Sequence, residues 1–575
     1  MNSVSIRIAG ANGDGVESSG SLMIRVAAKN GLHVFGYRGY QSIIRGGHVW
    51  YQVRIADERL NSHGEGIDIL IALNQDAIKN QKSHLNDKAV VIFDPSKVKP
   101  EGIDASKYRL VGVPLLDIAI EVSGDPIMRN VVAIGSALKF VGIDLNAFNE
   151  VIKATFGRKG DKVVQSNIKA AEKGYNYNGV ETVYKIKSDG KERYTMDGNT
   201  ALSIGAYAAG CKFYSAYPMT PASSILHWFA AHENKGVMPK QTEDEIAAIN
   251  MAIGASAAGV RSMCGTSGGG FSLMVEALGL AGILETPLVV VESQRTGPST
   301  GLPTKTEQAD LLFVMHASQG EFPRIVVAPR STEESFDIAA EAFNLADRYQ
   351  CPVIILMDLY LSEHVRSMER LNVEGVTIDR GKVVTEQKEE GRFKRYLITD
   401  DGVSPRAFPG TKGLEFIAPS DEHNEYGDLV SDAFAGLDES VEVRIQMNAK
   451  RMRKIDTMLE RESVFVPHVD IEGEQYLVTF GSTTQPAIEA VELLKAKGHN
   501  FGLISFNYLM PLDAEKTAKI LQGKKLINVE GNSTGQLAKV IRMATGINIE
   551  RSILKSDGEA FTGELIANEA MRLIK

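Results

Sequence analysis

Three apolar runs constrain this chain more than anything else in it: LVVVES (288–293), RIVVAP (324–329) and PVIILMDL (352–359). None alternates apolar with polar residues, so each predicts a strand buried on both faces. Helical patterns accompany them at DEIAAINMAIGASAAG (244–259) and FSLMVEALGLAGILE (271–285). Buried strands alternating with helices imply a parallel sheet covered on both sides, hence an α/β fold. The same style recurs on either side. Residues 4–10, 49–55, 67–73 and 89–94 read as strands, and a helix over 18–31 stops at Gly31. From 474 onward come the strand EQYLVTFG, a helix over 483–498, then FGLISFN and KKLINVEGN.

The polar, turn-rich stretch KSDGKERYTMDGN (187–199) predicts a boundary. Residues 366–465 are charged and irregular, with a basic amphipathic helix around 447–462 that reads as a packing or subunit-contact element. The expected division is 1–185, 190–365, a connecting segment 366–468, and 469–575. A length of 575 residues accommodates it. The net charge of −9, with no Lys/Arg-rich run, argues against a nucleic-acid or anionic-membrane partner. Cys211, Cys264 and Cys351 lie too far apart to encode a disulfide framework or a CxxC metal or iron–sulfur site. No metal site is expected. The apolar window 273–291 is broken by Glu276, Glu285 and Pro287, so it predicts helix, turn and buried strand, not a membrane span. MNSVSIRIAG lacks the layout of a signal peptide, and a cytoplasmic location is expected.

Five stretches carry candidate chemistry. In FYSAYPMTP a strand (213–217) stops at Pro218, and Thr220 lies between two prolines that stiffen the loop. GANGDGVESSG (10–20) joins a strand to a helix; its glycines suit either a bound diphosphate or a tight turn. It is not GxGxxG, and no asparagine pair follows GDG at the distance a magnesium-diphosphate loop requires. In SIIRGGHVWYQV, Arg45 and His48 flank a glycine pair and suit an anion or a surface turn. QTEDEIAAIN puts three acids in a helix's first turn, where the dipole alone accounts for acids. In VESQRTGPSTGLPT, Arg295 follows a buried strand, at the end where open α/β sheets bind ligands. Its guanidinium can grip a carboxylate with two bonds.

Together these stretches resemble the 2-oxoacid:ferredoxin oxidoreductases, as an α subunit with a γ domain fused at its N-terminus. YPMTP looks like the family's YPITP, and QRTGPSTGLPT like its Arg-GPSTG-PT signature. GANGDGVESSG, RGGH and FGRKGDKVVQSNIKAA (156–171) look like the γ domain, and VEGNSTGQLAKVI (529–541) extends the likeness nearly to the end. The resemblance implies three α/β domains: a γ-type domain, a thiamine-pyrimidine domain and a transketolase C-terminal-like domain. It implies CoA-dependent oxidative decarboxylation of a 2-oxoacid, with ferredoxin as electron acceptor. Thiamine diphosphate would be shared with a β subunit that holds Mg2+ and a [4Fe-4S] cluster, in an (αβ)2 heterotetramer.

The roles implied are specific. Glu245, nine residues before Gly254, would hydrogen-bond the aminopyrimidine ring, with Glu243 as its rival; the carboxyl must hold or share a proton. Tyr217, Pro218, Thr266 and Ser267 would line the thiamine diphosphate. Thr220 would meet the 2-oxo or carboxylate group, and Arg295 the C1 carboxylate. Asn12, Gly13, Asp14 and Gly15 would receive the CoA diphosphate. The fused layout suggests 2-oxoglutarate before pyruvate or a branched 2-oxoacid, with Arg45 and His48 as candidates for a distal carboxylate. Three other classes are open: a transketolase-like enzyme without ferredoxin, a non-catalytic nucleotide-binding or scaffold subunit, and a flavin or nicotinamide oxidoreductase. None of them explains YPMTP and Arg295 together.

Overall fold

A computed structural model describes residues 2–42, 46–386, 390–430 and 438–574. The fold is mixed α/β, with helices interleaved among three sheets. The chain forms two compact units. One comprises residues up to Asp197 with His364–Arg370 and Thr562–Glu564; the other comprises the remainder.

The first unit is built on an eight-stranded sheet. In order its strands are Arg109–Gly112, Leu85–Phe93, Ile67–Ala72, Ser3–Asn12, Gly46–Ala56, His33–Gly39, Arg366–Met368 and Tyr194–Met196. The first four run parallel, with Ile6 beside Ile69. Gly46–Ala56 is antiparallel to both Ser3–Asn12 and His33–Gly39, which gives the sheet its mixed character. The helix expected over 18–31 spans Val16–Lys29, and four more helices cover 115–175 (Leu115–Ser123, Arg129–Val141, Leu145–Phe156 and Asp161–Tyr175). The first strand is buried from Val4 to Gly10 although it carries Ser5 and Arg7 in the sequence. Arg7 is compensated there by Gln52 at 3.0 Å and Gln81 at 2.6 Å, with Trp50 under its guanidinium.

The second unit holds two sheets. The larger is ordered Tyr508–Met510, Ile325–Val327, Pro352–Asp358, Leu288–Gln294, Ser262–Thr266, Phe213–Ala216 and Met238–Gln241. All neighbours are parallel except Tyr508–Met510, which pairs antiparallel with Ile325–Val327. The three apolar runs lie side by side at its centre and are fully buried, as strands covered on both faces must be. The smaller sheet orders His468–Ile471, Phe501–Phe506, Gln475–Phe480, Lys525–Glu530 and Arg551–Leu554. Val478, Phe480, Ile504 and Leu537 join one continuous core with Val290 and Leu356 of the larger sheet.

The described residues of 371–386 and 390–430 contain little regular structure, in line with their composition. The basic helix is longer than the pattern indicated, spanning Asp438–Arg461. Lys450 and Lys454, one turn apart, are fully buried on Glu285, each at 2.6 Å. No helix among the described residues is long and apolar enough to cross a membrane.

Candidate active site

The strand Phe213–Ala216 ends one residue earlier than the sequence suggests, and Tyr217 and Pro218 are exposed in the loop that follows. The loop is tied down from behind. Asn199 Nδ2 donates to the Pro221 carbonyl at 2.9 Å and to Ser224 Oγ at 2.8 Å. Thr220 therefore sits on a braced turn, partly buried. Arg295, leaving the strand Leu288–Gln294, donates from Nη1 to the Thr220 carbonyl at 3.0 Å. Its Nε is buried without any partner. Burial lowers its pKa, and among the described residues no carboxylate compensates the charge. A half-buried guanidinium with a spare donor is prepared for an incoming anion.

Glu245 opens the helix Glu245–Ala257, which Asp244 caps by accepting from Ala247 N at 2.9 Å. Glu245 is 3% exposed, whereas its rival Glu243 is exposed. Thr266 Oγ1 donates to Glu245 Oε1 at 3.3 Å and lies 3.7 Å from Met219 Sδ. One hydroxyl thus connects the acid to the YPMTP loop. Ser267 follows at the N-cap of Gly268–Ile283, and its buried hydroxyl has no partner. That helix begins with three glycines. A Cβ added at Gly270 would lie 2.0 Å from Thr266 Oγ1 and 2.3 Å from Glu245 Oε1. Only glycine lets the acid rest against the helix N-terminus, a requirement visible only once the two elements pack.

Glu245, Thr266, Thr220 and Arg295 are thus joined by direct contacts or a shared loop. A buried acid, an unpartnered hydroxyl and a side-chain-free helix start suit a polar heteroaromatic ring. The nearby guanidinium suits a small carboxylate. The residues present fit the pyrimidine end of thiamine diphosphate.

The glycine loop lies in the first unit. Gly13 and Gly15 have φ of 102° and 75°, backbone that glycine adopts without strain. Asp14 fastens the loop: Oδ2 accepts from Ala11 N at 2.8 Å, and Oδ1 accepts from Arg129 Nη2 at 2.7 Å. Gly13, Asp14 and Gly15 line a cavity of about 750 Å3. Arg25 and Lys159 add positive charge to its wall, and Leu22, Met128 and Phe156 an apolar surface. The sequence offered no signal for Arg25 or Arg129, because both sit in ordinary helical patterns. His48 is half-buried, 2.6 Å from Gln81 Nε2 through its own Nε2, and its Nδ1 has no partner. Burial lowers its pKa. Arg45 lies outside the described residues. Among the described residues no group of three or more His, Cys, Asp or Glu side chains could hold a metal ion, and the three cysteines are buried and unpaired.

Comparison with known proteins adds names to this geometry. Residues 204–442 match the family described as "Pyruvate flavodoxin/ferredoxin oxidoreductase, thiamine diP-bdg". Residues 5–177 match "Pyruvate ferredoxin/flavodoxin oxidoreductase". A 2-oxoacid:ferredoxin oxidoreductase subunit alpha from Sulfolobus is 33% identical over 99% of this chain and 96% of its own length. The 2-oxoglutarate oxidoreductase subunit KorA of Mycobacterium tuberculosis is 31% identical over 100% of this chain and 91% of its own. Among solved structures, the 2-oxoglutarate:ferredoxin oxidoreductase of Magnetococcus marinus, with 2-oxoglutarate, coenzyme A and succinyl-CoA bound, is 33% identical. It covers 100% of both chains at a TM-score of 0.92.

Proposed function

Because the chain belongs to the 2-oxoacid:ferredoxin oxidoreductase family, as an alpha subunit, we propose that its substrate is 2-oxoglutarate. The products are succinyl-CoA and CO2, and the electrons reduce ferredoxin. The names and bound ligands of its relatives support this choice of acid. The observation that carries the mechanism is Arg295, held on the Thr220 carbonyl with a spare donor and no carboxylate partner among the described residues. We assign it the C1 carboxylate. A charge-assisted bond of this kind contributes about 1.5–3 kcal/mol, roughly tenfold to somewhat over a hundredfold in binding. The Thr220 hydroxyl orients the same end of the substrate.

Thiamine diphosphate would supply a carbon nucleophile and, after decarboxylation, a carrier for the electrons. This chain's part is to hold its ring. Glu245 is placed to hydrogen-bond the ring, Thr266 orients that carboxyl, and Ser267 offers its unpartnered hydroxyl. Tyr217 and Pro218 form the outer wall. The division into a γ-type domain (1–185), a pyrimidine-type domain (190–365), a connecting segment (366–468) and a transketolase-like domain (469–575) follows the same proposal. So does the placing of the CoA diphosphate on Asn12, Gly13, Asp14 and Gly15, with its nucleotide end in the cavity that Arg25 and Lys159 make positive. His48 and Arg45 are assigned to the distal carboxylate. A β subunit completes the site with Mg2+ and a [4Fe-4S] cluster, in an (αβ)2 complex.

The deciding experiment co-expresses this chain with its β partner and compares turnover of 2-oxoglutarate, pyruvate and a branched 2-oxoacid. The highest kcat/KM for 2-oxoglutarate supports the assignment, and preference for another acid replaces it. In the same complex Glu245→Gln is expected to abolish turnover while Glu243→Gln retains it. The reverse pattern transfers the role to Glu243.

A further inference from the structure

The motif VEGNSTGQ (529–536) has no part in the mechanism proposed for Arg295 and Glu245. It ends the strand Lys525–Glu530 of the smaller sheet and opens the helix Gln536–Thr545. Glu530 is fully buried and pins the turn. Its carboxylate accepts from Asn528 Nδ2 and Asn532 Nδ2, each at 2.7 Å, and from Leu537 N at 2.9 Å. Two amide side chains then reach out of the turn. Asn532 Nδ2 donates to the Gln308 carbonyl at 2.9 Å. Gln536 Nε2 donates to the Ala309 carbonyl at 2.5 Å, and its Oε1 accepts from Leu312 N at 2.9 Å. Gln308 bonds back: its N donates to the Gly531 carbonyl at 2.7 Å, and its Oε1 accepts from Gly531 N at 3.1 Å. The carboxyl end of this parallel strand, where open α/β sheets receive ligands, is bonded instead to residues 308–312 of the same chain.

Residues 305–310 in turn hold both chain neighbours of Arg295. Gln294 Oε1 accepts from Asp310 N at 2.9 Å. Thr296 N donates to the Lys305 carbonyl at 3.0 Å, and Thr296 Oγ1 to the Thr306 carbonyl at 3.3 Å. Arg295 is thus carried between two residues fixed on one segment, and the motif fixes that segment. The two sheets do not need these bonds to stay together. Val478, Phe480 and Leu537 already share a continuous apolar core with Val290 and Leu356. Apolar contact is non-directional, whereas hydrogen bonds fix distance and angle, so what the amides add is placement. We propose that Asn532 and Gln536 are positioning residues for Arg295. Through residues 305–310 they set where its guanidinium meets the C1 carboxylate of the 2-oxoacid, a contact whose strength depends on the geometry of the fork.

The proposal rests on the carboxylate role given to Arg295, and its test separates the two. Gln536→Glu keeps the acceptor for Leu312 N, suits the first turn of its helix, and removes the donor to Ala309. In the assembled complex it is expected to raise KM for the 2-oxoacid about threefold, the scale of one hydrogen bond, with kcat within about twofold. Joined to Arg295→Lys, it is expected to add nothing to that variant's own rise in KM, because the fork it positions is gone. Asn532→Ala is expected to raise KM in the same way, at a lower melting temperature because Glu530 also loses a donor. Hydrogen–deuterium exchange of residues 296–306 is expected to quicken in Gln536→Glu, while that of the helix Asp438–Arg461 stays unchanged. A wild-type KM in Gln536→Glu overturns the positioning. Rises in KM that multiply in the double variant overturn action through Arg295. If Arg295→Lys alone leaves KM unchanged, the carboxylate role of Arg295 falls. Exchange over 296–306 then still decides whether the motif places that loop, and unaltered exchange overturns it.

Discussion

Gly270 shows how narrowly a single residue can be specified. A methyl group there would overlap both Thr266 and Glu245, and neither neighbour is free to withdraw, because both are buried. Gly270→Ala is therefore expected to fold and yet lose most turnover, with KM for the 2-oxoacid changed less than kcat. Steady-state kinetics and near-ultraviolet circular dichroism would check both halves. Arg295→Lys preserves charge but removes the planar fork, so it is expected to raise KM for the 2-oxoacid roughly tenfold. Glu292, fully buried on the strand Leu288–Gln294 with no hydrogen-bond partner for either carboxyl oxygen, adds a pH signature. Its folded-state pKa lies well above the ordinary 4.5, so the folded chain retains a proton that the unfolded chain has released. Stability must then fall as pH rises from 4.5 toward the folded value. Glu292→Gln is expected to flatten that slope, measured as melting temperature against pH.

Among the elements, the long helix Asp438–Arg461 is fixed by charge inside the fold. Burial opposes the charge on Glu285, but Lys450, Lys454 and Arg395 outweigh it and hold the carboxyl well below the usual range. Glu285→Ala would strand two buried lysines, with an expected loss of about 3–5 kcal/mol in denaturant unfolding. Replacing all three residues by methionine is expected to cost far less. The sequence announced this helix as a packing or subunit-contact element but not which of the two, since a basic amphipathic pattern looks alike on a surface and around a buried acid. The central strands were legible because uninterrupted apolar runs have few alternatives. The pairing of Arg366–Met368 with His33–Gly39 was not, because three residues carry no periodicity and the contact spans over three hundred positions. At the site, the Thr220 loop and Arg295 stood out through proline and glycine punctuation. Gly270 and Glu292 stayed silent because their meaning lies in packing and register between elements, which no local pattern encodes.

For the molecule as a whole, the proposal makes the thiamine site one half of an enzyme. Ile246, Met251 and Leu273 are 48%, 40% and 49% exposed on the two helices that start at Glu245 and Gly268. The purified chain is expected to show no 2-oxoacid-dependent reduction of ferredoxin or a dye until the β partner is added. Turnover by the chain alone would refute the divided site. The strand Tyr508–Met510 ties the C-terminal sheet's part of the chain to the larger sheet by completing its margin against Ile325–Val327. Truncation before residue 500 would strip that margin and leave an apolar edge with unsatisfied amides, open to pairing with other molecules. The C-terminal segment thus acts as a built-in guard against aggregation, and a chain released early from synthesis would be lost to precipitation before it was missed as a catalyst.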